Sequence, residues 1–492
     1  MNLGFHCFRA RLAAAARRGA CRLLLPFALL LLVFPAHADA PAAAPGQVIV
    51  RLAANVSVQS LLTDYATTLA CGPAEAPSCS IPERNIHLVA VPPALSDDAF
   101  LLLLNADPSV LFAEPDFFAA DVNPEGSTRS IFFRSTFAEF SSQPLIDDIG
   151  LPVANPAIRG AGTVVAILDT GVDLAHPAFA GRLLPGKNFI DSTQSVDDVG
   201  DGIDSNANGV ADEMTGHGTL AAGLVLLAAP DAFILPLKIM DSDGVVTTFA
   251  LARAMFHAID QNVDVLSISL GTIADPQVLR QAVEEAVLDD TIIVAAVGND
   301  DRQDEVRSPA SLSALGVVAV AALDSNNVRA SFTNFGPFVT LAAPGVDIHS
   351  TAPQGYGRAS GTSFAAPLVA GAAARLRSIC GLESPTAILD TLMNTATPID
   401  ALNPGYAGLL GAGLLRVDAA VAALSATRPA GCIGEQTCDG LVTDEDFVRF
   451  VYSYDRLTVP SARAAADSNR DQLVDDSDFQ LFAAAYNDLL CP

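Results

Sequence analysis

The chain has 492 residues, 51% hydrophobic and 17% charged, with 35 glycines and 31 prolines that follow no period; this exceeds one ordinary domain, supports two to four units with sizeable cores, and excludes a mainly disordered or collagen-like protein. Its 27 basic and 55 acidic residues give a net charge of −28, and only Lys187 and Lys238 among the basic residues are lysines. Nucleic acid is therefore a poor partner, since phosphate binding needs clustered positive charge, whereas an excess of carboxylates suits calcium or a salty medium.

Residues 1–38 read as a signal peptide. Arg9, Arg11, Arg17, Arg18 and Arg22 precede the apolar run from Leu23 to Pro35, and Ala36-His37-Ala38 is a small-x-small cleavage site. An uncleaved anchor is the alternative, but the run is shorter than the ~20 residues a span requires. Cleavage removes five positive charges and no acidic ones, so the exported chain carries −33. The expected localisation is secreted, with no membrane association afterwards. Export leaves Cys71, Cys79, Cys380, Cys432, Cys438 and Cys491 in an oxidising compartment, where disulfides are the default. The local pair Cys71 with Cys79 is the one expected.

Residues 46–120 predict a small α/β unit: a strand at Gln47–Leu52, a helix around Val58–Leu69, a strand at Ile86–Val91 and a helix near Asp97–Leu104. A polar stretch, 121–144, reads as a linker. From 145 to 424 short apolar runs alternate with helical patterns. Strands are expected at Thr163–Leu168, Ala232–Ile239, Val263–Ser269, Thr291–Val297 and Val317–Ala321, with helices at Leu251–Asp260 and Pro276–Leu288. The alternation predicts an α/β fold with a doubly wound, mostly parallel sheet. Phe364–Ile379 is expected as a helix buried nearly all round. Residues 432–492 form an acidic tail with two related stretches ending at Asp446-Phe447 and Asp478-Phe479.

Three motifs carry chemistry. The strand ending at Leu168 runs into Asp169-Thr170-Gly171, and the carboxyl end of a parallel strand is where such sheets place catalytic groups. Asp-Thr-Gly is also the aspartic-peptidase motif, but that chemistry needs two carboxylates sharing a proton and the chain has no second copy. In Thr215-Gly216-His217-Gly218-Thr219 the flanking glycines leave the imidazole unobstructed, which a core histidine does not require. Ser360-Gly361-Thr362-Ser363 opens the buried helix; Thr362 or Ser360 can cap it, leaving Ser363 available as a nucleophile. The Gly-x-Ser-x-Gly elbow is not matched, because Ala365 stands at its last glycine.

In the order Asp169, His217, Ser363, with Val263–Gly271, Ala295–Asn299, Ala343–Gly345 and Gly361–Pro367 between and around them, residues 145–424 resemble the subtilisin-like serine peptidases, the subtilases. The resemblance implies a serine endopeptidase in which Ser363 attacks the scissile carbonyl, His217 shuttles the proton and Asp169 fixes the imidazole. It also implies that Asn299 and the Ser363 N–H receive the oxyanion. Ser269, Leu270, Gly271, Ala295 and Ala296 would then line the substrate groove as partners for an added strand. Leu220-Ala221, Val297, Phe364 and Leu368 depart from the family's usual residues, and Val297 and Phe364 adjoin the oxyanion asparagine and the nucleophile. Residues 46–120 resemble the family's inhibitory propeptide, cut off somewhere between Ala120 and Pro144.

Calcium is expected at two places. Asp197-Asp198, Asp201, Asp204-x-Asn206-x-Asn208-Gly209 and Asp212-Glu213 put oxygen ligands at alternating positions just before His217, although Thr215 stands where an EF-hand glutamate belongs. In the tail, Asp467, Asn469, Asp471, Leu473 (through its carbonyl), Asp475 and Asp478 supply positions 1, 3, 5, 7, 9 and 12 of such a loop. This tail resembles the duplicated dockerin repeat, which implies a cohesin-like partner; an acidic cap without a partner is the alternative. The rival to a peptidase is an inactive secreted binding protein on the same fold, against which the filled catalytic positions argue.

Overall fold

The computed structural model describes residues 41–71, 76–119, 133–303, 307–379 and 384–426, together with 447, 479, 480 and 483. The expected signal peptide, both tail loops including Asp467–Asp478, and Cys380, Cys432, Cys438 and Cys491 lie outside these residues. Among the described residues no helix is long and apolar enough to cross a membrane.

The N-terminal unit contains β1 (Ala43–Leu52), α1 (Val58–Asp64), β2 (Ser80–Ile81), β3 (Ile86–Ala90), α2 (Asp97–Ala106) and β4 (Val110–Ala119). β1 lies antiparallel to both β3 and β4. Strand alternation divides its side chains between two cores. Val48, Val50 and Leu52 pack with Leu61, Phe100 and Leu104 of the covering helices, whereas Ile49, Ile86, Leu88 and Phe112 join the core of the main sheet domain. Ser57 and Ser96 cap the two helices by accepting N–H groups of Gln59 and Ala99. α1 stops short of the expected Leu69 because the chain turns at Ala66 (φ +50°), and Leu69 then bridges to Val89. The expected Cys71–Cys79 disulfide is present.

Residues 133–144 of the expected linker fold with the sheet domain. β5 (Phe133–Ser135), α3 (Phe137–Ser141) and α4 (Leu145–Asp148) belong to the sheet domain. A Thr136–Glu139 capping box starts α3, the rings of Phe137 and Phe140 lie 5.6 and 5.4 Å from that of Tyr356, and the Gln143 amide donates to the His349 carbonyl and accepts its N–H. Polar composition suggested a linker; these contacts with residues some 200 positions later decide otherwise.

The remaining elements are β6 (Val164–Asp169), β7 (Lys187–Asn188), α5 (His217–Ala228), β8 (Phe233–Lys238), β9 (Val246–Thr247), α6 (Thr248–Asp260), β10 (Val265–Ile268), α7 (Gln277–Leu288), β11 (Ile292–Ala296), β12 (Val318–Leu323), β13 (Leu341–Pro344), β14 (Ile348–Ala352), β15 (Gly355–Ala359), α8 (Thr362–Arg377), α9 (Pro385–Thr395) and α10 (Val417–Ala426). The central sheet has the order β13-β12-β11-β10-β6-β8-β7 and is parallel throughout. The chain builds to one side of β6 first, then crosses to β10 on the other, so the crevice at the carboxyl end of β6 is a topological switch point. α5 and α8 pack together on one side of the sheet, and α6 with α7 cover β6 and β11. α8 is buried along its whole length. Gly371 permits this: a Cβ there would sit 2.6 Å from the Val225 carbonyl oxygen of α5.

Candidate active site

Asp169 ends β6 and His217 begins α5, and the two glycines around His217 have separate reasons. Gly216 adopts φ +95°, a left-handed conformation that turns the chain into the helix. At Gly218 a Cβ would stand 2.1 Å from the Gly171 carbonyl oxygen, so only glycine lets α5 press against the end of β6. The result is a buried pair: His217 Nδ1 lies 2.7 Å from Asp169 Oδ1 and 2.9 Å from Oδ2. Facing a carboxylate, Nδ1 is the nitrogen that donates, which leaves Nε2 directed away from Asp169.

Asp198, read in the sequence as part of a cation loop, has another place. It is buried, and its Oδ1 accepts the Thr170 hydroxyl (3.0 Å) and the Gly216 N–H (2.8 Å). Its Oδ2 accepts the N–H and hydroxyl of Thr219 at 3.0 and 2.7 Å. One carboxylate thus ties the residue after Asp169 to the residues on either side of His217. Burial raises its pKa against these hydrogen bonds and the Lys238 charge.

Ser363 is the second residue of α8, and its carbonyl accepts the Ser269 hydroxyl at 2.9 Å. Asn299 follows β11; its Oδ1 accepts both the N–H and the hydroxyl of Thr362 at 2.9 Å, which turns its Nδ2 toward Gly361. Phe364, one of the departures noted in the sequence, places its ring 5.0 Å from that of His217. The fold therefore gathers Asp169, His217, Asn299 and the Thr362-Ser363 turn at the carboxyl ends of β6 and β11, beside the amino ends of α5 and α8.

The groove residues divide into two kinds. Ser269, Leu270 and Gly271 lie beyond the last β10 pair, Ile268 with Ala295, and have main-chain groups outside the sheet register. Ala295 and Ala296 pair with Ala319 and Val320 of β12. Their backbone is committed to the sheet and both are buried, so they are not available as pairing partners for an added strand. A strand edge missed in the sequence, Val246-Thr247 of β9, pairs antiparallel with Ala119 and Phe118 of β4. Two-residue strands leave no periodicity by which to find them.

In the acidic loop, the Asp204 carboxylate accepts the N–H groups of Asn208 and Gly209. The side-chain amides of Asn206 and Asn208 both donate to Glu213 Oε1, at 2.8 and 2.6 Å. Asp243, about 40 positions away in sequence, enters the same loop by accepting the Ser205 N–H at 2.6 Å. Among the described residues no group of three or more His, Cys, Asp or Glu is arranged to hold a metal ion. Glu213 Oε2 and Asp243 Oδ1 are nevertheless buried without hydrogen-bond partners, a cost that a bound cation would remove. The orphaned oxygens would suit a hard cation, with Asp243 the one residue added to Asp204, Asn206, Asn208 and Glu213 of the loop read in the sequence.

Comparison with known proteins identifies the architecture. The model of the subtilase family matches residues 160–416. Thermitase of Thermoactinomyces vulgaris is 36% identical over 260 residues, covering 53% of this chain and 90% of thermitase. Subtilisin DY of Bacillus licheniformis is 33% identical over 275 residues, 53% of this chain and 92% of that protein. Among solved structures, fervidolysin of Fervidobacterium pennivorans, described as a keratinolytic enzyme related to subtilisin, aligns with a TM-score of 0.60 at 22% identity, over 78% of this chain and 62% of that one. It shares the fold. With a family match across the whole parallel-sheet domain, the chain belongs to the subtilase family of serine peptidases.

Proposed function

We propose that this protein is a secreted endopeptidase that cleaves polypeptides through Asp169, His217 and Ser363, with Asn299 as oxyanion donor. The observation that carries the reading is the buried Asp169–His217 pair lying against Phe364, the neighbour of Ser363. Ser363 Oγ attacks the carbonyl as its proton passes to His217 Nε2; Asp169 stabilises the imidazolium, which then protonates the leaving amine. The Ser363 N–H and Asn299 Nδ2 stabilise the oxyanion, and water repeats the sequence on the acyl-enzyme. Fluorophosphonate labelling followed by peptide mapping tests this. Label on Ser363 supports it, and an unlabelled active protein refutes it.

Residues 46–120 act as the inhibitory propeptide. This is supported by β4 lying along β9 as an added strand, while Glu114 and Asp116 reach the amino ends of α7 and α6. Since β5, α3 and α4 pack on the sheet domain, the cut falls within 120–132. Calcium in the loop before His217 would be held by Asp204, Asn206, Asn208, Glu213 and Asp243 and would neutralise their charge. The tail from 432 to 492 binds calcium at Asp467–Asp478 and, as a dockerin-like module, takes a cohesin-like partner.

A further inference from the structure

Where the N-terminal unit meets α6 and α7, the two leave a cavity of about 780 Å³ between them, within the size range of small-molecule sites. Its walls come from both parts: the end of β1, residues 82–85 and Leu111 on one side, Asp260, Gln281 and Glu285 on the other. Arg51 reaches it through strand alternation, since Val50 and Leu52 turn to the covering helices and Ile49 to the sheet domain. Two polar atoms of the wall lack a partner. Arg51 Nε and Gln281 Oε1 are buried without a hydrogen bond, one a charged donor from the N-terminal unit and the other an acceptor from α7, and each is costly left alone. Arg84, the other arginine of the wall, is already engaged. Its Nη1 and Nη2 donate to Asp260 at 2.8 and 2.7 Å, and its Nε and Nη2 donate to Glu285 Oε1. Both bonds to Glu285 fall on one oxygen, which leaves Oε2 to accept from elsewhere.

The mixed charge of the wall selects the ligand. Arg51 suits a carboxylate, whereas Gln281 Oε1 and Glu285 Oε2 suit an ammonium or amide N–H. A bare phosphate would face Glu83, Asp260 and Glu285, and a metal ion would face two arginines; a zwitterion meets both signs. We propose that this cavity binds a short peptide with free amino and carboxyl ends, and that the bound peptide holds the N-terminal unit against the sheet domain, because only the docked state has both walls. Such peptides are products of polypeptide hydrolysis. On the reading given under Proposed function, on which this consequence rests, accumulated product delays release of the propeptide and with it the appearance of activity.

The test titrates trialanine calorimetrically into the full Ser363→Ala chain, with C-terminally amidated trialanine and inorganic phosphate as comparisons. One peptide per chain is expected. Adding Arg51→Met should weaken trialanine by about 10-fold or more and leave the amidated peptide unaffected, since a hydrogen bond to a charged group is lost only where the carboxylate is present. Adding Gln281→Leu should weaken trialanine by about 5-fold, which keeps the test decisive where Arg51→Met does not fold. Trialanine bound equally well by both variants sits elsewhere and overturns the site, and phosphate bound in its place overturns the ligand class. In the wild-type chain, trialanine at ten times its Kd should slow the appearance of peptidase activity, assayed after dilution, by about 10-fold. An unchanged rate overturns the brake. A wild-type chain that never becomes active and takes no fluorophosphonate overturns the peptidase reading, while the titration still decides the site.

Discussion

Glu114, in the last strand of the N-terminal unit, takes the backbone N–H of Val278 on its Oε1 at 2.8 Å and so caps a helix 164 residues away. Its Oε2 takes the N–H of Gln277 at 2.7 Å, and α7 has no side-chain cap of its own. Burial pushes the Glu114 pKa up to about 7 against these two hydrogen bonds, with Asp116 and Asp275 adding repulsion; Asp116, sealed at the start of α6, rises to about 6. A raised carboxyl pKa means that the docked state binds protons more tightly than the undocked one. This part of the docking energy is fully present below the free value near 4.5 and is lost as pH rises through about 7. Inhibition of the processed enzyme by added residues 41–119 should therefore weaken between pH 5 and pH 8. Glu114→Gln should flatten that slope, and a slope left intact in the variant would rule out Glu114 as its source.

Arg84 supplies a second anchor. It donates to both carboxylate oxygens of Asp260 at 2.8 and 2.7 Å, also pairs with Glu285, and stacks 4.9 Å from the Phe256 ring centre. With the Arg84 side chain only 11% exposed, Arg84→Ala should weaken inhibition by about 30-fold, the low end for truncating a buried hydrogen-bonded charge. Titration of inhibitor against a chromogenic peptide measures this directly.

Ser363→Ala should abolish hydrolysis of casein and leave the chain as an uncut precursor, on the proposal that the enzyme itself makes a cut within 120–132. Asn299→Ala should keep residual activity, with kcat lower by about 100- to 1000-fold, the loss known for such an oxyanion asparagine. N-terminal sequencing in a host without other peptidases decides the first point. A mutant processed like wild type would exclude self-cleavage.

Asp198→Ala strands the Thr170 and Thr219 hydroxyls and the N–H groups of Gly216 and Thr219 in the interior. The expected cost is about 3 kcal/mol of stability, with kcat falling more than KM rises, since the Asp169–His217 alignment loosens. Chemical denaturation together with steady-state kinetics checks both; an unchanged melting profile would contradict the clamp.

The two proposed calcium sites should behave differently. Asp204→Ala should lower melting temperature and activity together and remove their sensitivity to EDTA, because an ion held only by the folded state stabilises it by mass action. Asp471→Ala should unfold the tail and spare catalysis. Retention of wild-type EDTA sensitivity in Asp204→Ala would disprove an ion beside His217.

The sequence by itself determined the sheet, the buried helix and the disulfide. Val164–Leu168 is an unbroken apolar run and Phe364–Ala374 a run of small and apolar residues, both buried throughout, and that composition marks them whatever their partners. It also placed Asp169, His217 and Ser363 at strand and helix ends, because the glycines beside them are local requirements, whereas the expected Thr362 or Ser360 cap is absent and α8 starts at Gly361 without one. Tertiary structure alone decided the acceptors that work at a distance. Glu114 capping α7, Asp198 joining Thr170 to Gly216, Asp243 entering the loop of Asp204, and Arg84 reaching Asp260 from the N-terminal unit are set by which elements pack together. A single carboxylate or guanidinium has no periodicity, so nothing in the sequence around it distinguishes a solvated charge from one buried against a partner.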